Sequence, residues 1–451
     1  MIGRPAPPIA AAALQGQWRR LHPLSPVVRV GALSVGLAVL VLPSLMNRSA
    51  ARGGRSTSTG VLIYAGVAAL LIAGGFVHWY VTRWRVHEGH LQIETGLIRR
   101  DSIRIPLERI QAIDVVAPLL ARILGLAEVR VVSAGRGDER ARLAYLSAAE
   151  APAVRAALLA LAHGLAAQTP EPPAYHLARV DNSQLILALC LRAQVALPLL
   201  LMAAGIGAAV AAPRTVAAAP ALVIFVVSAA ANAVRLFNDD YNFSLGEAGD
   251  GYRLDRGLLQ TRHETIPFGR VQAVRLVQPL LWRSLGWCRL DIDVARQHMR
   301  NQQDRGANVV AHTLLPVATL DQAAWLLSRV MPGAPMLPPP GSGAPPRARW
   351  KAPLSYHFLA AWTSEAQVCA RTGRVTAHTV VIPLDKVQSV RLSQGPVQRA
   401  LRLASVHVDT AGHRWQAHLT CRDAAEADGL LDQLAVAARQ ARRRAAQPRP
   451  V

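Results

Sequence analysis

Few residues in this chain are of types suited to chemistry, and their spacing decides most questions about them. His87-Glu88-Gly89-His90 comes nearest to a metal-ligating motif, because imidazole and carboxylate are both zinc donors. A zinc helix needs its two histidines four residues apart, so that both face one side; here the spacing is three, and His263-Glu264 has no second histidine. The stretch reads instead as strand, turn and strand, and no metal or cofactor is expected. The adjacent carboxylates Asp239 and Asp240 could in principle share a proton as an acid–base pair. Beside a long apolar run they read as a solvated boundary. The chain has no Walker loop and no Gly-x-Ser-x-Gly elbow, so no catalytic residue is assigned and the protein is expected not to be an enzyme. Cys190, Cys288, Cys369 and Cys421 are scattered without a Cys-x-x-Cys pair. Four thiols could still pair, but isolated buried thiols are the preferred reading.

The most regular chemistry is basic. Arg109, Arg270 and Lys386 each follow a proline by three residues, and each is followed two residues later by Gln111, Gln272 and Gln388. Two roles suit a cation at such a position. It could meet anionic lipid headgroups, at about 1 kcal/mol per residue near a charged leaflet. It could instead pair with a carboxylate or cap a turn, and the accompanying Gln favours this structural role.

These residues belong to a repeat present three times: Gly96–Val131, Gly257–Ile292 and Gly373–Val408 align without a gap. Gly96, Gly257 and Gly373 correspond, as do Pro106, Pro267 and Pro383, and Arg122, Arg283 and Arg399 close the pattern. Ile103 and Ile105 alternate as in a half-buried strand, and the following proline suits a strand edge where no ladder donor is lost. The glycine suits a hairpin turn with positive φ. Ile110, Ile113 and Val115 form the next strand, Pro118–Gly125 reads as a short helical connector, and Val129 with Val131 opens another strand. The third copy shifts its connector proline to Pro396 and has Arg402 in place of the glycine. Each copy then ends in an amphipathic helix, expected at Ala148–Ala166, Leu320–Val330 and Ala424–Arg439, whose apolar stripe can close a small sheet sandwich.

The segment from Tyr80 through Trp84–Gly89 to Gly125–Val131 resembles the bacterial pleckstrin-homology (PH) domain family. Three modules combined with apolar hairpins are similar to its large membrane members, the YdbT-like proteins. The resemblance covers most of residues 20–435. It implies a PH-like fold and a membrane location, and it supplies no catalytic residues.

Apolar runs complete the expectation. Val27–Met46 and Val61–Val81 read as one helical hairpin, and Leu185–Ala212 with Val216–Val234 as a second, since about 20 apolar residues cross a hydrocarbon core. Pro213 and Arg214 would form the second turn. Arg192 is costly inside lipid and reads as interfacial, the alternative being a functional intramembrane charge. The first 26 residues do not read as a cleaved signal peptide. Arginine flanks place the modules on the cytoplasmic side of a bacterial inner membrane. The net charge of +22 in 451 residues suits an anionic leaflet, and no nucleic-acid reader accompanies it.

The expected fold is α+β: multi-span membrane hairpins plus three PH-like β-sandwich modules, each closed by a C-terminal helix. The expected division is 1–81 for an N-terminal segment and hairpin, 82–168 for module 1, and 169–236 for a linker and second hairpin. Module 2 follows at 237–331, a Pro-rich linker at 332–350, module 3 at 351–438, and a basic tail, expected to be disordered, to 451. The expected function is a non-enzymatic scaffold for protein–protein assembly at the inner membrane face. Expected partners are membrane lipids and either other membrane PH-domain proteins or further copies of the chain. An anionic-lipid-sensing regulator is the alternative, and a transporter component, lacking discontinuous half-helices, is weaker.

Overall fold

The computed structural model describes residues 16–28, 66, 69–70, 73–77, 79–96, 100–133, 141–162, 164–165, 174–211, 219–249, 251–294, 312–332, 338–412 and 415–446. The first module carries β1 (Arg19–Arg20), β2 (Arg83–His87), β3 (His90–Thr95), β4 (Asp101–Pro106), β5 (Ile110–Ala117), β6 (Leu126–Ser133) and β7 (Ala141–Ser147). The second carries β8 (Tyr175–Arg179), β9 (Ser244–Ala248), β10 (Gly251–Arg256), β11 (Thr261–Pro267), β12 (Val271–Pro279), β13 (Trp287–Val294) and β14 (His312–Thr319). The third carries β15 (Ala360–Thr363), β16 (Gln367–Thr372), β17 (Thr376–Pro383), β18 (Val387–Ser393), β19 (Leu403–Thr410) and β20 (Ala417–Asp423). The chain divides into two compact units, Met1–Tyr175 with Glu247–Pro267, and His176–Gly246 with Phe268–Val451. The division does not follow the repeats, because strands of the second module fall in both units.

In the first unit, β1-β2-β3-β4 make one antiparallel sheet, and β7-β6-β5 continue through β11 to β10 in another. The β2–β3 turn places Glu88 at φ 48 and Gly89 at φ 70, the two positive angles that a tight two-residue hairpin requires. His87 and His90 therefore face each other across a hairpin. Trp84, Leu91 and Ile105 from one sheet meet Ile113, Val129 and Val131 from the other, and Val154 and Leu158 of the helix Glu150–Ala162 close the core. Each fully buried side chain of this size contributes about 1.5–3 kcal/mol.

In the second unit, β14-β13-β12 continue through β17 and β16 to β15, while β18-β19-β20 form a separate sheet. Val368, Ile382, Val406, Val408 and Leu419 pack with Leu434 and Ala438 of the helix Ala424–Ala446. That helix continues through Ala446, so the basic segment from Arg439 extends it rather than forming a loose tail; residues 447–451 lie outside the described residues. Part of the expected Pro-rich linker also packs. Ala348, in a short helix over Pro346–Trp350, is fully buried with Leu359, Leu403 and Cys421. The second module's helix, Leu320–Val330, starts on a reciprocal capping box between Thr319 and Gln322, which satisfies two otherwise orphaned N–H groups.

The membrane-hairpin part of the expected fold needs correction. Among the described residues no single helix is long and apolar enough to cross a membrane, and most of the secondary structure is β-sheet in four sheets. The run beginning at Leu185 breaks at Leu191–Arg192 into Asn182–Cys190 and Ala193–Ala211. Among the described residues only the bent pair Asn182–Cys190 with Ala193–Gly205, at 60°, meets the length and composition of a span. The physical reason lies in the packing. Leu185, Ala188 and Leu189 are buried in protein, Trp282 Nε1 donates to the Ala188 carbonyl at 2.9 Å, and the Arg192 guanidinium stacks 5.2 Å from the Trp282 ring centroid. Arg192 thus has a protein partner at the break. The other helix, Ala219–Asp240, carries Arg235, Asp239 and Asp240 at its end. Most of the first expected hairpin, and the Pro213–Arg214 turn, lie outside the described residues.

Candidate functional site

The repeat can be followed residue by residue into three equivalent corners. Pro106, Pro267 and Pro383 are each the last residue of a strand, β4, β11 and β17. Each lies opposite the first residue of the preceding strand, His90, Gly251 and Gln367. The chain then turns into the second sheet of the module. Arg109 and Lys386 end short 3-10 turns in this corner, and Arg270 occupies the same place in the second copy. Arg109 is exposed. Lys386 Nζ pairs with Asp385 at 3.0 Å, and burial lowers the pKa of Arg270. The three cations thus occupy the same corner of three modules.

The repeated glutamines have a backbone explanation. The register of β5 with β6 skips between Ile110 and Ala112, β12 with β13 between Val271 and Ala273, and β18 with β19 between Val387 and Ser389. Gln111, Gln272 and Gln388 occupy the three skips. Each is a β-bulge, which bends the strand and sharpens its twist. Gln272 is buried and its Nε2 donates to the Arg270 carbonyl at 3.3 Å, whereas Gln388 is exposed. The side chain of Gln111 lies outside the described residues.

Beside these corners the sheets of neighbouring modules join. In the first unit, β11 pairs antiparallel with β5, placing Thr261, Arg262 and His263 opposite Ala117, Val116 and Val115. In the second unit, β17 pairs with β12, placing Ala377, His378 and Thr379 opposite Gln278, Val277 and Leu276. The repeat alignment maps one set of pairs onto the other without a shift. The same strand edges are therefore used twice in one register. A repeated arginine reinforces both junctions. Arg122 Nη1 donates to the Leu258 carbonyl at 2.5 Å, and Arg283 Nη2 donates to the Arg374 carbonyl at 2.8 Å. Each acceptor follows a repeat glycine, Gly257 at φ 113 and Gly373 at φ 95. A Cβ on Gly373 would lie 2.0 Å from the Thr376 carbonyl oxygen, so only glycine fits this turn. The sequence marks Arg122, Arg283 and Arg399 as equivalent; their acceptors become visible only when strands from different copies are paired.

A second feature escaped sequence reasoning. Arg289 sits at another register skip, between Cys288 and Leu290, and reaches Asp291 at 2.7 Å and Asp240 at 2.9 Å. Arg275 pairs with the far oxygen of Asp291 at 3.1 Å, and Arg289 also donates to Thr313. Burial opposes charge on Arg289, yet the two carboxylates outweigh it and raise its pKa. Burial likewise opposes charge on Asp291, and Arg289 outweighs it to lower the carboxyl pKa. The pair Asp239–Asp240 is thus divided between roles, with Asp240 buried in an ion pair. Among the described residues no cluster of three metal-ligating side chains occurs. All four cysteines are free; Cys190 is exposed, and burial pushes the thiols of Cys288 and Cys369 up to about 12.

With the three modules traced, the chain's class is established by comparison. The bacterial PH domain family matches residues 30–162, 195–331 and 343–438. The chain belongs to this family and carries its domain three times. No curated protein matches it, and no solved structure does.

Proposed function

We propose that this chain is a non-enzymatic scaffold that presents three PH modules at the inner face of a bacterial cell membrane and binds protein partners through open sheet edges. One observation carries the reading: β5 with β11, and β12 with β17, use the same edges in the same register. An edge strand offers a row of N–H and C=O groups that another strand can complete. A module that already joins its neighbour this way has a recognition mode built into its backbone. The net charge of +22 supports a location at an anionic membrane surface.

The lipid-sensing alternative rests on the exposed corner cation Arg109 and its counterparts Arg270 and Lys386. The Lys386–Asp385 pair and the bulges at the neighbouring glutamines favour a structural role for that corner. The test compares the full chain with an Arg109→Gln, Arg270→Gln, Lys386→Gln variant, in vesicle co-sedimentation and in capture of proteins from solubilised membranes. The scaffold reading predicts that protein capture survives the triple change. Loss of capture together with loss of anionic-vesicle binding would overturn it in favour of lipid sensing.

A further inference from the structure

We infer that this chain assembles head to tail with further copies of itself, β18 of one copy pairing with β4 of the next. The inference rests on the protein-binding reading above and names its partner. Each module has two joining edges: the last strand of its first sheet (β4, β11, β17) and the first strand of its second sheet (β5, β12, β18). Four of these six edges are used within the chain, β5 with β11 and β12 with β17. Among the described residues one edge of each kind is left, β4 ending its sheet and β18 ending its own. They are the two halves of a junction that the chain already makes twice.

Burial agrees. From Gln388 to Ser393 every β18 residue is exposed except the half-exposed Val390, whereas the equivalent stretch of β12 is largely buried. In β4, Asp101, Ser102 and Arg104 are exposed. Carried over unchanged, the register sets Asp101 opposite Ser393, Ser102 opposite Leu392 and Ile103 opposite Arg391. Asp101 then lies on the same face as Arg391, two positions along, beside the ion pair that Arg391 makes with Asp409 at 2.7 Å. The reinforcing arginine is also in place. Arg122 and Arg283 each hold the next module's turn, while the guanidinium of Arg399, their counterpart, makes no hydrogen bond among the described residues. The contact joins two different surfaces, so repetition gives a ring if the rotation closes and a filament if it does not.

The test uses the full chain with Cys190→Ser as background, since Cys190 is the exposed native thiol. Ser102→Cys and Leu392→Cys are made separately, mixed and gently oxidised at rising concentration. The expected product is a disulfide-linked pair of chains of 48.4 kDa each, formed in the mixture and lost when Val436→Cys, exposed on the last helix, replaces Leu392→Cys. Adding Arg399→Gln should raise the concentration needed for linkage. A mixture that links no better than the Val436→Cys control overturns the inference. If that unlinked chain still captures a different protein, head-to-tail assembly fails while the scaffold reading stands. If it stays monomeric by light scattering and binds only anionic vesicles, both fail.

Discussion

Replacing Arg283 by alanine removes the hydrogen bond from its guanidinium to the Arg374 carbonyl, 2.8 Å long, and the contact of its cation with the Phe358 ring at 5.5 Å. A hydrogen bond from a charged donor is worth about 1.5–3 kcal/mol when well shielded. Burial lowers the Arg283 pKa, with a further push from Arg371, but the side chain is only partly enclosed. Solvent screening therefore brings the expected loss to about 1 kcal/mol. Arg399 supplies the matched control: it has the same place in the repeat and a similar short helix, and its guanidinium makes no hydrogen bond among the described residues. Arg399→Ala should cost less than about 0.5 kcal/mol, the usual bound for a surface change. The assay is urea unfolding of each full-length variant at a concentration low enough to keep the chain monomeric. The midpoint should fall for Arg283→Ala and stay for Arg399→Ala, with unchanged slopes. Equal losses would mean that the repeated arginine serves its own module, and the junction argument would be wrong.

Arg402 holds a left-handed conformation at φ 52 where the other copies have Gly125 and Gly286; Arg402→Gly should raise stability by about 1 kcal/mol in thermal unfolding. A drop would mean that the arginine side chain does more than occupy the turn. Arg289→Met leaves Asp240 and Asp291 buried without their main cation and should cost about 3–5 kcal/mol, visible as loss of folded protein by circular dichroism. His378 has a lowered pKa through burial and then Arg275, and His407 through burial and then His418 and Arg391. The fold binds their protons less readily than the unfolded chain does, so stability should be full above their unfolded pKa of about 6.5 and fall as pH drops below it. Asp291, with a lowered pKa, should give up its contribution only at more acid pH, as its carboxylate is protonated. A His378→Asn, His407→Asn variant should show a shallower decline between pH 7 and 5, and an unchanged slope would refute the assignment. Under native conditions one thiol, Cys190, should react with a water-soluble alkylating reagent, and all four after unfolding.

Much of the fold was legible because the repeat carries its own backbone instructions. A glycine at positive φ, a proline ending a strand and an amphipathic closing helix are local facts, and each copy shows the glycine and the proline where the sequence places them. The bulges at Gln111, Gln272 and Gln388 were half legible. Recurrence of the glutamine marked the position as structural, but a bulge is a property of two paired strands and one strand's sequence does not show it. The junctions were not legible, because strand pairing between copies depends on which edges meet. The apolar run beginning at Leu185 misled for a related reason. Hydropathy counts Leu185, Ala188 and Leu189 as lipid-facing, whereas they pack inside protein around Trp282. Arg289 gave no signal, since its partners Asp240 and Asp291 come from separate elements.

The most direct test of the edge-pairing account is hydrogen exchange across the full chain, measured in dilute solution, at high concentration and with anionic vesicles. The account predicts slow exchange in β11 and β17 under all three conditions. In β4 and β18 it predicts fast exchange when dilute and protection that appears with concentration. Protection that appears instead only with vesicles, confined to the corners at 106–110, 267–271 and 383–387 while β4 and β18 stay open, would contradict it.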